Sequence, residues 1–378
     1  MKKSLIALAV LGTFAGVASA QSSVTLYGRL DVNGTYSEPG DNIRGGDALW
    51  QMNDGGSNSG IGGSRWGLRG REDLGGGLHA YFQLESAFNA DTGSDGNTNA
   101  NTGAVSATGT TSGLFGRQAY VGIGSKTLGD VRLGRQESIS RIINGQFSDA
   151  SSLGELKIDE GVLFTPTATA FPSNTLFQTF GQRVNNAFTY ITPNLGGFQL
   201  QGMVGAGEAA TARYHGIMGS YKSGPLALAL GYEAYDSFGA RSGAYNKVIN
   251  VGGNYNFGVA QLFAGFQDSK DVGTNAGAAL TATSIQDQQS YTVGVMVPIN
   301  SFQLRGSYTK ADYDLVNGTT ADVEKYGVSV RYLLSKRTTL YSAYTERAGS
   351  SGVATSRFND QNFVQKRDFT VLGVAHTF

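Results

Sequence analysis

The chain has 378 residues, with 29 Lys and Arg balanced by 29 Asp and Glu, and no cysteine. A balanced charge offers no basic field for nucleic acid, and the missing cysteine excludes a disulfide scaffold and any Cys-based metal or nucleophile site. At 40% hydrophobic residues, with 55 glycines against six prolines, the composition is too polar for a helical membrane protein and suits strands that meet an apolar phase on one face only.

Residues 1–20 read as a cleaved secretory signal. Lys2 and Lys3 open it, an apolar run follows from Leu5 to Val17, and Ala18-Ser19-Ala20 places cleavage before Gln21. No later apolar stretch reaches the roughly 18 residues that a membrane-spanning helix needs. Beyond the signal the pattern is one of alternation. Phe198, Leu200, Gly202 and Val204 alternate with polar partners, and Leu226, Leu228, Leu230 and Tyr232 share a face opposite Ala227, Ala229, Gly231 and Glu233. The same period runs through Tyr291 to Val297, Phe302 to Tyr308 and Tyr326 to Tyr332. Tyr and Phe tend to sit at both ends of each apolar stripe, as interfacial girdles require and a soluble β-sandwich does not. The terminal strand, Phe369 to Phe378, is apolar at every second position and stops on an aromatic residue.

Turn signals divide the chain. Short connections fall at 73–77, 125–129, 193–197, 222–225, 256–258, 298–300 and 334–336. Longer polar stretches fall at 38–60, 91–111, 139–182, 207–211, 237–244, 271–286, 313–322 and 348–365. Seven turns and eight loops separate sixteen strands. The predicted fold is therefore all-β: a transmembrane antiparallel β-barrel over residues 21–378, with turns on the periplasmic rim, loops outside and an aqueous interior. Pairing of the first and last strands leaves no open edge.

Two loops differ in kind. Segment 91–111 is almost wholly small and polar, a solvated loop. Segment 139–182 carries Ile142, Ile143, Leu153, Leu156, Val162, Leu163, Phe164, Phe171, Phe177 and Phe180. Such a loop is expected to fold into the barrel, its apolar side on the wall and Glu155, Asp159 and Glu160 toward the lumen. The alternative is an external lid or partner-binding loop.

Several segments resemble the trimeric general porins of the Gram-negative outer membrane, in particular the betaproteobacterial type. They are Ser23-Val24-Thr25-Leu26-Tyr27-Gly28-Arg29, the run from Gly63 through Arg65, Trp66 and Arg69 to Gly77, Phe115-Gly116-Arg117-Gln118-Ala119-Tyr120, Leu133-Gly134-Arg135-Gln136, Arg183-Val184-Asn185-Asn186-Ala187-Phe188, and the terminal His376-Thr377-Phe378. They recur in family order across the mature chain. The resemblance implies a sixteen-stranded homotrimer embedded in outer-membrane lipid and lipopolysaccharide. Its third loop would form a constriction, with basic residues on the wall facing acidic residues on the loop. It implies small hydrophilic solutes and inorganic ions as cargo, no cofactor, and recognition of the C-terminal strand ending in Phe378 by the barrel assembly machinery.

Carried over by motif position, the wall arginines are Arg65, Arg117 and Arg183, with Arg29 as a possible fourth. Alternation independently turns Arg65 and Arg69 inward, since Trp66 and Leu68 take the lipid side, but it does not settle Arg117, which shares parity with Ala119, Val121 and Ile123. Arg132 and Arg135 have opposite parity, so at most one faces the pore, and Arg135 is preferred. The enteric members of the family carry a Pro-Glu-Phe-Gly type motif at the loop tip. None occurs in 140–182, so Glu155, Asp159 and Glu160 rest on composition.

The expected function is a general diffusion channel for small hydrophilic solutes and ions, anion-preferring if wall arginines outnumber loop carboxylates. The alternative is a channel specific for one solute, such as an organic acid or sugar, using loop aromatics such as Phe164, Phe171 and Phe177. A non-conducting structural or adhesive barrel is a third reading. Enzymatic activity is not expected, because neither His79 nor His215 has a nearby Ser and carboxylate pattern and His376 belongs to the terminal strand. The glycine run at 75–77 is a turn without the Lys-Ser/Thr of a phosphate loop.

Overall fold

Alternating side chains commit each strand to two environments, and the computed structural model of the protein realises this by closing the strands into one sheet. It describes residues 23–39, 49–56, 60–96, 113–152, 154–157, 176–177, 182–207, 213–236, 245–272, 285–349 and 366–378. The predicted signal, 1–20, lies outside the described residues. The strands are β1 (Ser23–Pro39), β2 (Leu49–Asp54), β3 (Arg65–Gly75), β4 (Leu78–Ala87), β5 (Gln118–Ser125), β6 (Gly129–Glu137), β7 (Arg183–Ile191), β8 (Phe198–Gly205) and β9 (Tyr214–Ser223). They continue as β10 (Leu226–Asp236), β11 (Tyr245–Asn256), β12 (Gln261–Lys270), β13 (Ile285–Ile299), β14 (Phe302–Leu315), β15 (Thr320–Leu333), β16 (Thr338–Gly349) and β17 (Lys366–Thr377).

Chain neighbours pair antiparallel around the sheet, and β1 pairs with β17 from Arg29 opposite Thr377 to Pro39 opposite Arg367. On its other edge β1 holds two partners end to end. Ser37 to Val32 pair with Leu49 to Asp54 of β2, and Arg29 to Ser23 pair with Arg65 to Arg71 of β3. β2 and β3 thus fill one position, and the closed barrel has sixteen strands. Two connections differ from expectation. The segment 38–60 contains β2, because Trp50 and Met52 continue the outer apolar face beside Tyr36. The segment 313–322 shrinks to a tight turn in which Leu315 N donates to Thr319 O at 2.9 Å.

The two faces separate cleanly. On β10, Leu228 and Leu230 are 46% and 58% exposed while the intervening Ala229 is 4% exposed. A belt of exposed Val, Leu, Ile and Phe covers the outside, the surface that lipid covers in a transmembrane barrel. Aromatic pairs rim it beside the short turns, with Phe198 and Tyr221 at 4.3 Å, Tyr255 and Phe257 at 4.5 Å, and Phe302 and Tyr332 at 4.7 Å between ring centroids.

Inside, the connection after β6 runs along the wall. It holds a short helix α1 (Ile139–Ile143) and a π-helical turn (Asn144–Ser148). Ile139, Ile143, Phe147 and Leu176 are fully buried in one cluster with inward residues such as Met218, Val248 and Tyr313.

The seam closes on the last residue. Gly28 N donates to Phe378 O at 3.0 Å and Phe378 N to Gly28 O at 3.1 Å. A Cβ on Gly28 would lie 2.6 Å from the Arg65 carbonyl oxygen and would run into the Phe378 ring. Gly28→Val is therefore expected to destabilise the closed barrel by about 1–3 kcal/mol through overpacking. The drop should appear as a lower temperature for loss of the fast-migrating folded band on unheated gels; an unchanged temperature would show that the seam tolerates the added volume.

Candidate pore constriction

The basic wall is built where β1, β3, β4, β5 and β7 present their inner faces. Arg29 and Arg65 are directly opposite in the β1–β3 register, on the face opposite the exposed Leu26 and Leu30. Arg69 lies over the Tyr27 ring on the same side, 5.3 Å from its centroid. Arg117 breaks the parity of Val121 and Ile123, both exposed outside, because it sits at a bend one residue before β5. Its side chain turns inward, and Nε donates to Glu85 Oε1 at 2.5 Å. Glu85 also accepts from Tyr27 Oη at 3.0 Å; Gln83 Nε2 donates to that hydroxyl at 2.8 Å, and Tyr120 Oη donates to Gln83 Oε1 at 2.8 Å. This chain fixes the carboxylate and the arginine beside it.

Arg183 opens β7 opposite Glu137 and is 4% exposed. Its Nη1 donates to Gln182 Oε1 at 3.4 Å, while among the described residues Nε and Nη2 are buried without a hydrogen-bond partner, as is Arg29 Nε. A guanidinium carries five donors in a fixed fork, and donors left unmade in a dry site are costly. The wall is therefore short of acceptors.

A bulge between Gly134 and Gln136 interrupts alternation before Arg135, so parity does not place that residue. Its Nε donates to Gly116 O at 2.7 Å and Nη1 to Asn185 Oδ1 at 2.5 Å. Arg132, passed over in the sequence reading, reaches the lumen. It donates to Tyr81 Oη at 2.9 Å and lies over the Tyr81 and Tyr120 rings. With Gln118, Gln136, Gln201 and Lys222 it lines a polar cavity of about 390 Å³.

The loop segment 138–157 is held at both ends. At its root, Ile139 N donates to Tyr214 Oη at 3.1 Å, and Ser140 N and Tyr214 Oη both donate to Glu233 Oε2 at 3.0 Å. Glu233, Tyr214 Oη and Ser138 Oγ thus each take one free donor of the first helical turn. Along its length, inward glycines clear the way. A Cβ on Gly231, Gly252, Gly265, Gly294 or Gly327 would come within 3.0 Å of Ile139, Ile143, Ser148, Ala150 or Leu156. At its far end, Arg305 Nη1 donates to Ala150 O at 3.1 Å and Lys325 Nζ to Lys157 O at 2.9 Å.

Glu155 is placed differently from expectation. It is 1% exposed, forms a two-pronged ion pair with Arg331 and accepts from Ser329 Oγ at 2.8 Å. It is a tether to the wall and does not face the aqueous passage, because Arg331 on the inner face of β15 meets it there. Burial alone would raise its pKa; the Arg331 and Arg305 guanidinium groups outweigh that and hold the carboxyl below the ordinary glutamate range. Asp159, Glu160, Phe164 and Phe171 lie outside the described residues, and Phe177 is fully buried. Glu85, the carboxylate nearest the wall arginines, escaped the sequence reading although it shares the polar parity of Tyr81 and Gln83 on β4.

A family profile for Gram-negative porins matches residues 7–351. Among curated proteins, an outer membrane porin protein of Bordetella pertussis is 30% identical, with 93% of this chain and 98% of the relative covered. Outer membrane porin protein 32 of Delftia acidovorans is 32% identical, with 90% and 88% covered. Among solved structures, an anion-selective porin from Comamonas acidovorans superposes with a TM-score of 0.69 at 26% identity, covering 95% of this chain and all of that one.

Glu155→Gln leaves Arg331 buried without its counter-charge. Breaking a buried pair costs about 3–5 kcal/mol, and the variant's loop is expected to be cut by protease in the folded barrel where the wild-type loop resists. Because the folded carboxyl is held low, its contribution is complete above the unfolded value of about 4.3 and is lost as pH falls through the lower folded value. Wild-type protection should therefore persist at that pH and fail only in stronger acid, while the glutamine variant shows no such transition. Equal protection of both proteins would show that the pair does not anchor the loop.

Proposed function

The chain belongs to the Gram-negative porins, outer-membrane β-barrels that act as passive channels and not as enzymes, and from that premise we propose that it is a general diffusion channel with a preference for anions. One observation carries the preference: Arg183 is buried on the inner wall with two nitrogens unpartnered among the described residues, beside Arg117, which in turn neighbours Arg65 and Arg29. The described carboxylates next to this group, Glu85, Asp31 and Glu137, are fewer, and Glu85 and Asp31 already accept hydrogen bonds from Arg117, Tyr27 and Tyr341. Fixed positive charge in a narrow aqueous passage raises the local concentration of anions and orients dipolar solutes. Guanidinium groups keep that charge at any relevant pH. Residues 138–152 and 154–157 narrow the passage from the opposite side, with Glu155 spent on anchorage. In this reading residues 1–20 are removed on export and three copies assemble in the outer membrane; a structural neighbour from Vibrio cholerae is described as a trimer form.

A second reading has its own support. The cavity beside Arg132 is lined by several glutamine amides, and Lys222 stands 4.6 Å from the Phe147 ring at its edge. Neutral hydrogen-bonding groups flanked by Arg132, Lys222, Asp130 and Glu137 suit one polar organic solute rather than a passing stream.

Planar-bilayer recording under a salt gradient separates the readings. Large ohmic steps in threes with a zero-current potential favouring chloride support the general channel, and Arg65→Ala combined with Arg183→Ala should shift that potential toward zero. Small currents blocked by one sugar, amino acid or organic acid support the specific channel instead. Silence would remove both.

A further inference from the structure

Between β2 and β3 the strand leaves the wall. Val32 lies opposite Asp54 and Arg29 opposite Arg65, so the ten residues 55–64 stand where only Leu30 and Asp31 face them. A continuous strand would need two residues there, which leaves eight in excess. Five of the ten are glycine.

The described residues of the excess, 55–56 and 60–64, turn into the lumen. Ile61, 9% exposed, clusters with Leu156 and with Tyr341, Ala343, Val371 and Ala375, the residues of β16 and β17 opposite the exposed Leu340, Leu372 and Val374. Carboxylates on both flanks hold its ends. Gly62 N donates to Asp31 Oδ2 at 3.0 Å, while Tyr341 Oη holds the other oxygen at 2.6 Å. Gly56 N and Ser64 N donate to Asp54 at 2.7 and 3.2 Å. At the neck the backbones touch: a Cβ on Gly60 would lie 2.6 Å from the Gly55 carbonyl oxygen. Only glycine permits that approach.

Two contacts connect this element to permeation. Lys157 Nζ donates to Gly56 O at 3.0 Å, joining it to the end of the inward loop. A Cβ on Gly62 would lie 2.7 Å from Arg29 Nη1 and 4.0 Å from Arg65 Nη2, so both guanidinium groups rest beside the Gly62 backbone.

We propose that residues 55–56 and 60–64, the described part of this excursion, form a second inward jaw of the constriction. It sets the free cross-section together with residues 154–157, and it positions Arg29 and Arg65 where permeating anions meet them. Side chains tethered only to a flush wall would be free to swing along it; the excursion fills the space into which they would move. This rests on the channel reading above and adds an element that determines pore size and selectivity.

The test replaces residues 55–64 by two residues, Thr-Ser, to restore a continuous strand. A second protein carries Gly62→Val, which leaves the barrel ladder intact and displaces the Arg29 head. Each is checked for the folded band on unheated gels and then recorded in planar bilayers beside wild type. The replacement is expected to raise single-channel conductance and lower chloride preference; Gly62→Val is expected to shift the zero-current potential without raising conductance. If the replacement fails to fold, the potential of Gly62→Val decides. Folded variants with wild-type conductance and potential overturn the proposal while leaving the channel reading intact. A silent wild-type protein removes the channel reading itself.

Discussion

The absence of water from the bilayer core is the constraint from which the rest of this structure follows. Each unpaired backbone N–H or C=O in hydrocarbon costs several kcal/mol, so a sheet that crosses a membrane must close. Here closure depends on the pairing of β1 with β17 and ends on the mutual hydrogen bonds of Gly28 and Phe378. The outer apolar stripe, the aromatic rim and the short turns are what a closed wall in lipid demands. The interior is released from that demand and is free to carry charge.

A wall of sixteen strands encloses more space than its own side chains fill. The chain fills part of it with backbone from two directions, residues 138–152 with 154–157, and residues 55–56 with 60–64. Ordering a residue costs about 1–2 kcal/mol in backbone entropy, much the same as burying one isoleucine returns. Only some residues of these segments are apolar, so burial at Ile139, Ile143, Phe147 and Ile61 cannot order them unaided. Charged and hydrogen-bonded anchors supply the difference at defined points: Glu233 at the helix start, Arg331 at Glu155, and Asp31 and Asp54 at the excursion. Small residues on the wall let the backbones approach closely enough for those bonds to form.

Arginine serves two ends in this barrel, and residue type does not tell them apart. Arg331 spends its donors on Glu155 and on the Ser151 carbonyl, so its charge is consumed in holding the loop. Among the described residues, Arg183 keeps donors unmade in a buried position. On the proposed function, that difference in pairing separates side chains that structure the pore from those that project a field into it.

Much of the architecture was legible in the residues because the physics behind it is local. Alternation between Leu228, Ala229 and Leu230 has the strand period, and turns at 73–77 or 193–197 announce themselves through glycine, proline and polar residues. Strand count, sidedness and the inward course of Arg65 follow from that period, and the apolar content of 139–182 flagged a loop unlike the others. Pairings between distant positions were not legible. Glu155 looked like a lumenal carboxylate until Arg331, far along the chain, was seen to meet it. Arg117 has the wrong parity for the pore and enters it because a bend precedes β5, and Glu85 waits for it there. Leu30 and Asp31 say nothing of a ten-residue excursion on their partner strand; only the register against β2 and β3 exposes it. Hydrophobic period is written in neighbouring residues and survives in any window of the chain. Which charge meets which depends on how the closed sheet brings remote residues onto one inner surface, and that information exists only once the barrel has closed.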